Sequence, residues 1–117
     1  MKNKEYISFT KMIEYIDKSI KYTEGYSFED FCSDEKTIDA TVFAISQIGE
    51  LVKNISQETM LKYSNIEWNM IKSLRNRIVH DYEGINLKNI WVVLENDILE
   101  LKDNLLEILN NNEDEIV

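Results

Sequence analysis

The sequence predicts an all-α protein, an antiparallel four- to five-helix bundle. Three observations predict it. The 117 residues include no proline and three glycines, so little in the chain forbids long helices. Apolar residues recur at steps of three and four along four stretches. Between those stretches stand Ser, Asp and Asn residues suited to capping helix starts.

Tyr6, Phe9, Ile13, Ile16 and Ile20 form one face of a first helix, with Lys11, Glu14, Asp17, Lys18 and Lys21 between them. Gly25 is expected to end it. Residues 25–34 read as a connector whose Phe28 and Phe31 tuck against the core, with Cys32 a small apolar filler. Asp34 or Thr37 caps a second helix, with the spine Ile38, Val42, Ile45, Gly49, Val52 and Ile55. A mid-helix glycine costs about 1 kcal/mol against alanine. Gly49 therefore points to close contact with another helix. Glu50 beside it reads as a solvated carboxylate, or else as a polar group aimed at a site.

Ser56 caps a short helical turn that runs to Tyr63. Ser64 and Glu67 have the spacing of a capping box. A third helix follows, with Glu67, Ile71, Leu74 and Ile78 on one face, Arg75 and Tyr82 on a neighbouring one, and Trp68 as a core plug. It ends between His80 and Gly84. Asn86 caps a fourth helix, whose stripe is Leu87, Ile90, Leu94, Ile98, Leu101, Leu105 and Ile108. That stripe outweighs the β-branched patch Ile90-Trp91-Val92-Val93. Residues 110–117 read as a frayed acidic tail. With no repeat and no linker, residues 1–117 are expected to be one domain.

Composition narrows the function. With 44% hydrophobic and 30% charged residues the chain reads as soluble and globular. No apolar run approaches the roughly 18 residues of a spanning helix, and the start, Met1-Lys2-Asn3-Lys4-Glu5, does not read as a signal peptide. The single cysteine cannot form an internal disulfide. A cytoplasmic location is the expectation. The net charge of −9 excludes a protein that coats a duplex, because phosphate neutralisation supplies non-specific affinity. Any contact with RNA is local, or the acidic exterior docks a basic partner. The residues suggest no metal cluster, no glycine-rich phosphate loop and no cofactor.

The chemistry concentrates in Arg75-Asn76-Arg77-Ile78-Val79-His80-Asp81-Tyr82, which holds the only histidine and both arginines of the chain. Histidine exchanges a proton near neutral pH, and the guanidinium fork suits phosphate. Five residues apart, Arg75 and His80 point about 140° apart on a regular helix. Either the helix unwinds near His80, or a second copy brings its own segment across a two-fold axis. Two imidazoles and two guanidiniums then suffice for acid–base work on a phosphodiester. Asn76 lies one turn from His80 and is placed to fix its tautomer. Tyr82 reaches the same cleft, and Arg77 reads as a surface cation. The plainer alternative is a histidine that suits a helix C-terminus and an arginine paired with a carboxylate.

Arg75-x4-His80-x-Tyr82 resembles the RX4HXY motif of the HEPN superfamily, specifically its HepT-like (DUF86) toxins. The stretch Phe31 to Ala40, the triplet Ile48-Gly49-Glu50, the run from Trp68 to Asn76 and Asn89-Ile90-Trp91 are similar to corresponding parts of that family. The likeness runs from about Tyr6 to Leu109. It implies a homodimer with facing motifs and a metal-independent ribonuclease. Arg75 and His80 would be catalytic, with Asn76 as the polar residue beside the arginine. The 2′-hydroxyl of RNA would attack and leave a cyclic phosphate. It also implies an MNT nucleotidyltransferase antitoxin as partner, silencing the toxin by AMP transfer to Tyr82. Family members often carry proline before the tryptophan of the third helix and again in the last helix. This chain has Ser64-Asn65-Ile66-Glu67 and Leu99-Glu100 there. The alternative is a non-catalytic helical dimer that binds a protein or a nucleotide.

Overall fold

The computed structural model describes residues 2–111. Helix α1 (Asn3–Tyr22) packs on α3 (Glu35–Leu51), and α3 packs on α5 (Trp68–Glu83). The last stretch comprises α6 (Leu87–Val92), a π turn (Val93–Asp97) and α7 (Ile98–Asn111), and α7 returns to α1. Short helices α2 (Phe28–Cys32) and α4 (Gln57–Lys62) fill two connections, and a 3₁₀ turn (Val52–Asn54) follows α3. The result is the expected all-α bundle, with no strand among the described residues.

The core gathers Phe9, Met12 and Ile16 of α1, Ile45 and Ile48 of α3, Ile78 of α5, and Ile90, Ile98 and Leu105 of the last stretch. On α1 the buried line is Phe9, Met12, Ile16 and Ser19, while Ile13 and Ile20 stand half-buried beside it. Ser19 is tolerated there because its hydroxyl donates to the Tyr15 carbonyl at 2.9 Å. Glu5 is also buried, at 3% exposure. Its carboxylate accepts from the Ser56 amide at 2.6 Å and the Thr59 hydroxyl at 2.9 Å, tying the start of α1 to α4.

The connector after α1 is more ordered than its composition suggests. Thr23 caps α1, and Gly25 adopts φ +78° in the following turn. Ser27 and Asp30 then form a reciprocal capping box that starts α2. This turn drives Phe31 into the core, its ring 5.2 Å from that of Trp91. The next residue is rotated by about 100°, so Cys32 is exposed rather than an apolar filler. Asp34 caps α3, accepting from the Thr37 amide at 3.1 Å.

The expected Ser64–Glu67 capping box does not form: Glu67 precedes α5 with no side-chain bond. The entry is fixed from the other side. The Trp68 indole N–H donates to the Met60 and Tyr63 carbonyls, each at 3.0 Å. Asn86 caps α6 as expected, accepting from the Asn89 amide. The fourth helix is continuous but interrupted by the π turn. Asn110 and Asn111 still belong to α7, against the expected fraying there, and the rest of the acidic tail lies outside the described residues.

α5 stops immediately after the candidate site. The Ile85 amide donates to the Tyr82 carbonyl at 3.1 Å and the Asn86 amide to the Asp81 carbonyl at 2.7 Å, a Schellman ending. Its left-handed position, usually a glycine, is held by Ile85 at φ +57°. Gly84, one residue earlier, has ordinary negative φ.

Candidate active site

α5 buries Trp68, Ile71, Leu74, Ile78 and Asp81. Arg75, Asn76, His80 and Tyr82 are all exposed. The helix runs unbroken through His80 to Glu83. Unwinding near the histidine is therefore not how Arg75 and His80 come together.

Arg75 is held twice. Its Nη1 donates to the Asn76 Oδ1 at 3.1 Å, and its Nε lies 3.6 Å from the Glu50 Oε1. Glu50 also accepts from the Lys53 Nζ at 2.8 Å. The Lys53 hydrogen bond, with the charges of Lys53 and Arg75, holds the Glu50 carboxyl below its usual range. So Glu50 is not a merely solvated carboxylate: it reaches the arginine of the motif. Asn76 faces Arg75 rather than His80. Among the described residues no hydrogen bond joins Asn76 to the imidazole, and its amide oxygen accepts from the guanidinium instead.

Arg77 points away from Arg75, about 160° round α5, and donates to the Asp97 Oδ2 at 3.3 Å. That pair borders a groove of about 280 Å³ between the starts of α5 and α7, with Ile66, Ile71, Leu74 and Leu101 among its lining. The groove touches none of the four motif residues. Tyr82 turns towards α3, where its hydroxyl donates to the Asp39 Oδ1. That hydrogen bond, partial burial and the charges of Asp39 and Glu35 raise the phenol above its usual ionisation range.

Sequence reasoning did not single out Asp39. It is one of 22 acidic residues, and its contact spans 43 positions, which no local pattern records. Among the described residues no group of three or more His, Cys, Asp or Glu side chains is placed to hold a metal ion. No helix there is long and apolar enough to cross a membrane.

The comparisons with known proteins converge. A relative from Caldanaerobacter subterraneus subsp. tengcongensis, named "Putative RNase TTE0752", is 38% identical over 90 residues, covering 77% of this chain and 80% of its own. One from Methanocaldococcus jannaschii, "Putative RNase MJ0127", is 31% identical over 109 residues, 90% of each chain. The "Probable ribonuclease HepT" of Thermococcus cleftensis is 32% identical over 101 residues, 86% of this chain and 89% of its own. No solved structure matches. The family model described as "Ribonuclease HepT-like" matches residues 12–108, a span that takes in the whole Arg75–Tyr82 strip. By this match and these relatives, then, the chain belongs to the HepT-like ribonuclease family.

Proposed function

We propose that this chain is a metal-independent endoribonuclease, the toxin of a toxin–antitoxin pair, working as a homodimer in the cytoplasm. One observation supports this above the others. Arg75, linked to Asn76, and His80 stand exposed on one unbroken helix, too far apart in direction for a single copy to use together. A second copy docked across this helix supplies the complementary pair.

In such a cleft one His80 imidazole takes the proton of an RNA 2′-hydroxyl. The oxygen attacks the adjacent phosphorus. The other His80, protonated, gives its proton to the departing 5′-oxygen, and a cyclic phosphate remains. Arg75 holds the negative charge that builds on the phosphoryl oxygens, with Asn76 orienting the guanidinium. The phosphate replaces Glu50 as the arginine's partner.

Silencing is assigned to Tyr82, whose hydroxyl lies at Asp39 on the side of α5 that faces α3. A nucleotidyltransferase antitoxin places AMP on its hydroxyl, and the added bulk and negative charge close the RNA path. The test is an RNA-cleavage assay on the purified, unmodified chain beside His80→Ala, with sedimentation to read the assembly. Cleavage that vanishes in the variant supports the reading. Intact RNA at every dose of the unmodified chain sinks it and favours the alternative, a non-catalytic binding dimer. The net charge of −9 suits that alternative.

A further inference from the structure

The hydrogen bond from Tyr82 to Asp39 joins the end of α5 to α3. It is a surface contact. Asp39 is exposed and Tyr82 is 37% exposed, so the pair lies at the surface of the bundle. A tie between two exposed polar groups adds little to stability. Its value lies in chemistry. A phenol attacks phosphorus poorly while it keeps its proton, and near neutral pH about one ordinary tyrosine in a thousand is ionised. Here ionisation is scarcer still, because Asp39 and Glu35 hold the phenol above its usual range. A carboxylate that already receives the hydroxyl proton is placed to take it as the oxygen forms its new bond. Kinases use an aspartate on a substrate hydroxyl in this way.

We infer that Asp39 is the general base for transfer of a nucleotidyl group to Tyr82, an inference that rests on the reading of Tyr82 as the modified residue. The Tyr82 oxygen attacks the α-phosphorus of ATP. The oxygen–phosphorus bond forms as the bond from that phosphorus to the bridging oxygen breaks. Pyrophosphate leaves with the electron pair, and the phenolic proton passes to the Asp39 carboxylate. The antitoxin supplies the nucleotide site, and this chain supplies both the nucleophile and its base. Glu35 is the other titratable group facing Tyr82 from α3. It makes no hydrogen bond to the hydroxyl among the described residues and serves only as a nearby charge.

The experiment incubates the full chain with ATP and its nucleotidyltransferase partner and follows intact mass with time. Asp39→Asn keeps the size and an acceptor oxygen but loses the basicity. Transfer to this variant is expected to slow by about 100-fold or more at pH 7. Its rate should then climb about tenfold per pH unit as the phenol ionises unaided. Asp39→Glu, which restores a carboxylate, should recover most of the rate, and both variants should melt like the parent. An Asp39→Asn rate equal to or above the parent's overturns the inference, since the carboxylate would then only be suppressing ionisation. A parent chain that gains no AMP, or a Tyr82→Phe variant that still gains it, overturns the underlying reading of Tyr82 and this inference with it.

Discussion

Gly49 of α3 sits directly against the backbone of Arg75: a side chain starting at position 49 would lie 2.7 Å from the Arg75 amide nitrogen and 3.1 Å from the Ile71 carbonyl. The two helices touch at the arginine of the motif because position 49 carries no Cβ. Gly49→Ala gains about 1 kcal/mol of helix propensity, yet it forces two backbones apart, and overpacking of that kind costs typically 1–3 kcal/mol. The expected net loss is about 1 kcal/mol, read by urea denaturation. Cleavage should fall with it, because Arg75 moves relative to Glu50. A variant as stable and as active as the parent would show that α3 and α5 do not press together here.

The two arginines should separate cleanly. Arg75→Ala removes the guanidinium proposed to meet the phosphate and should lower RNA cleavage by about 100-fold or more. Arg77→Ala breaks a surface pair with Asp97, turned away from Arg75. It should change cleavage less than about twofold and cost at most about 1 kcal/mol. Parallel cleavage rates and melts decide the point. Equal losses in both variants would mean that general positive charge matters rather than this geometry.

Glu5 should give the fold an acid-sensitive joint. Burial draws its carboxyl upward, but the hydrogen bonds from Ser56, Thr59 and Lys2 outweigh that, and it ends below its usual range. A group lowered on folding contributes fully above the unfolded carboxylate's titration, about pH 4.3. The contribution drains as pH falls through the lower folded value. Glu5→Gln should cost about 2 kcal/mol near pH 7, because one of two donors then meets an amide NH₂. The gap between parent and variant should close as melts are taken down towards pH 3. A gap independent of pH would contradict this account.

Ile85 should be improvable. A β-branched residue at φ +57° costs roughly 1–2 kcal/mol, and this one is 78% exposed, so little burial compensates. Ile85→Gly should raise stability by about 1 kcal/mol, measured by thermal denaturation, after allowing for glycine's greater freedom when unfolded. A destabilised variant would mean that Ile85 makes contacts worth more than its strain.

The α3 spine was legible in the sequence because burial repeats at the helical period: Ile38, Val42, Ile45 and Gly49 are all buried. The helix ends at Leu51, however, so Val52 and Ile55, also buried, belong to the 3₁₀ turn and the extended residue after it rather than to the expected longer helix. The motif segment was legible for a different reason: it alone carries the chain's imidazole and guanidiniums. What escaped were contacts between distant positions. Glu5 gives no local sign that Ser56 and Thr59 will fold over it, and Asp39 resembles every other acidic residue until α5 arrives beside it. Cys32 and the Ser64–Glu67 pair were misread because short motifs yield to the packing of Phe31 and Trp68.

The π turn from Val93 to Asp97 gives the last stretch a place to take up slack. Ile90, Leu94 and Ile98 are spaced by two consecutive steps of four, more residues than two regular turns hold, and the wider coil accommodates the surplus. Loss of one residue inside that segment would leave ordinary helix with the flanking apolar rows still in phase. Loss of one residue elsewhere along α7 would swing every later side chain by about 100° and turn the row ending at Ile108 away from the bundle.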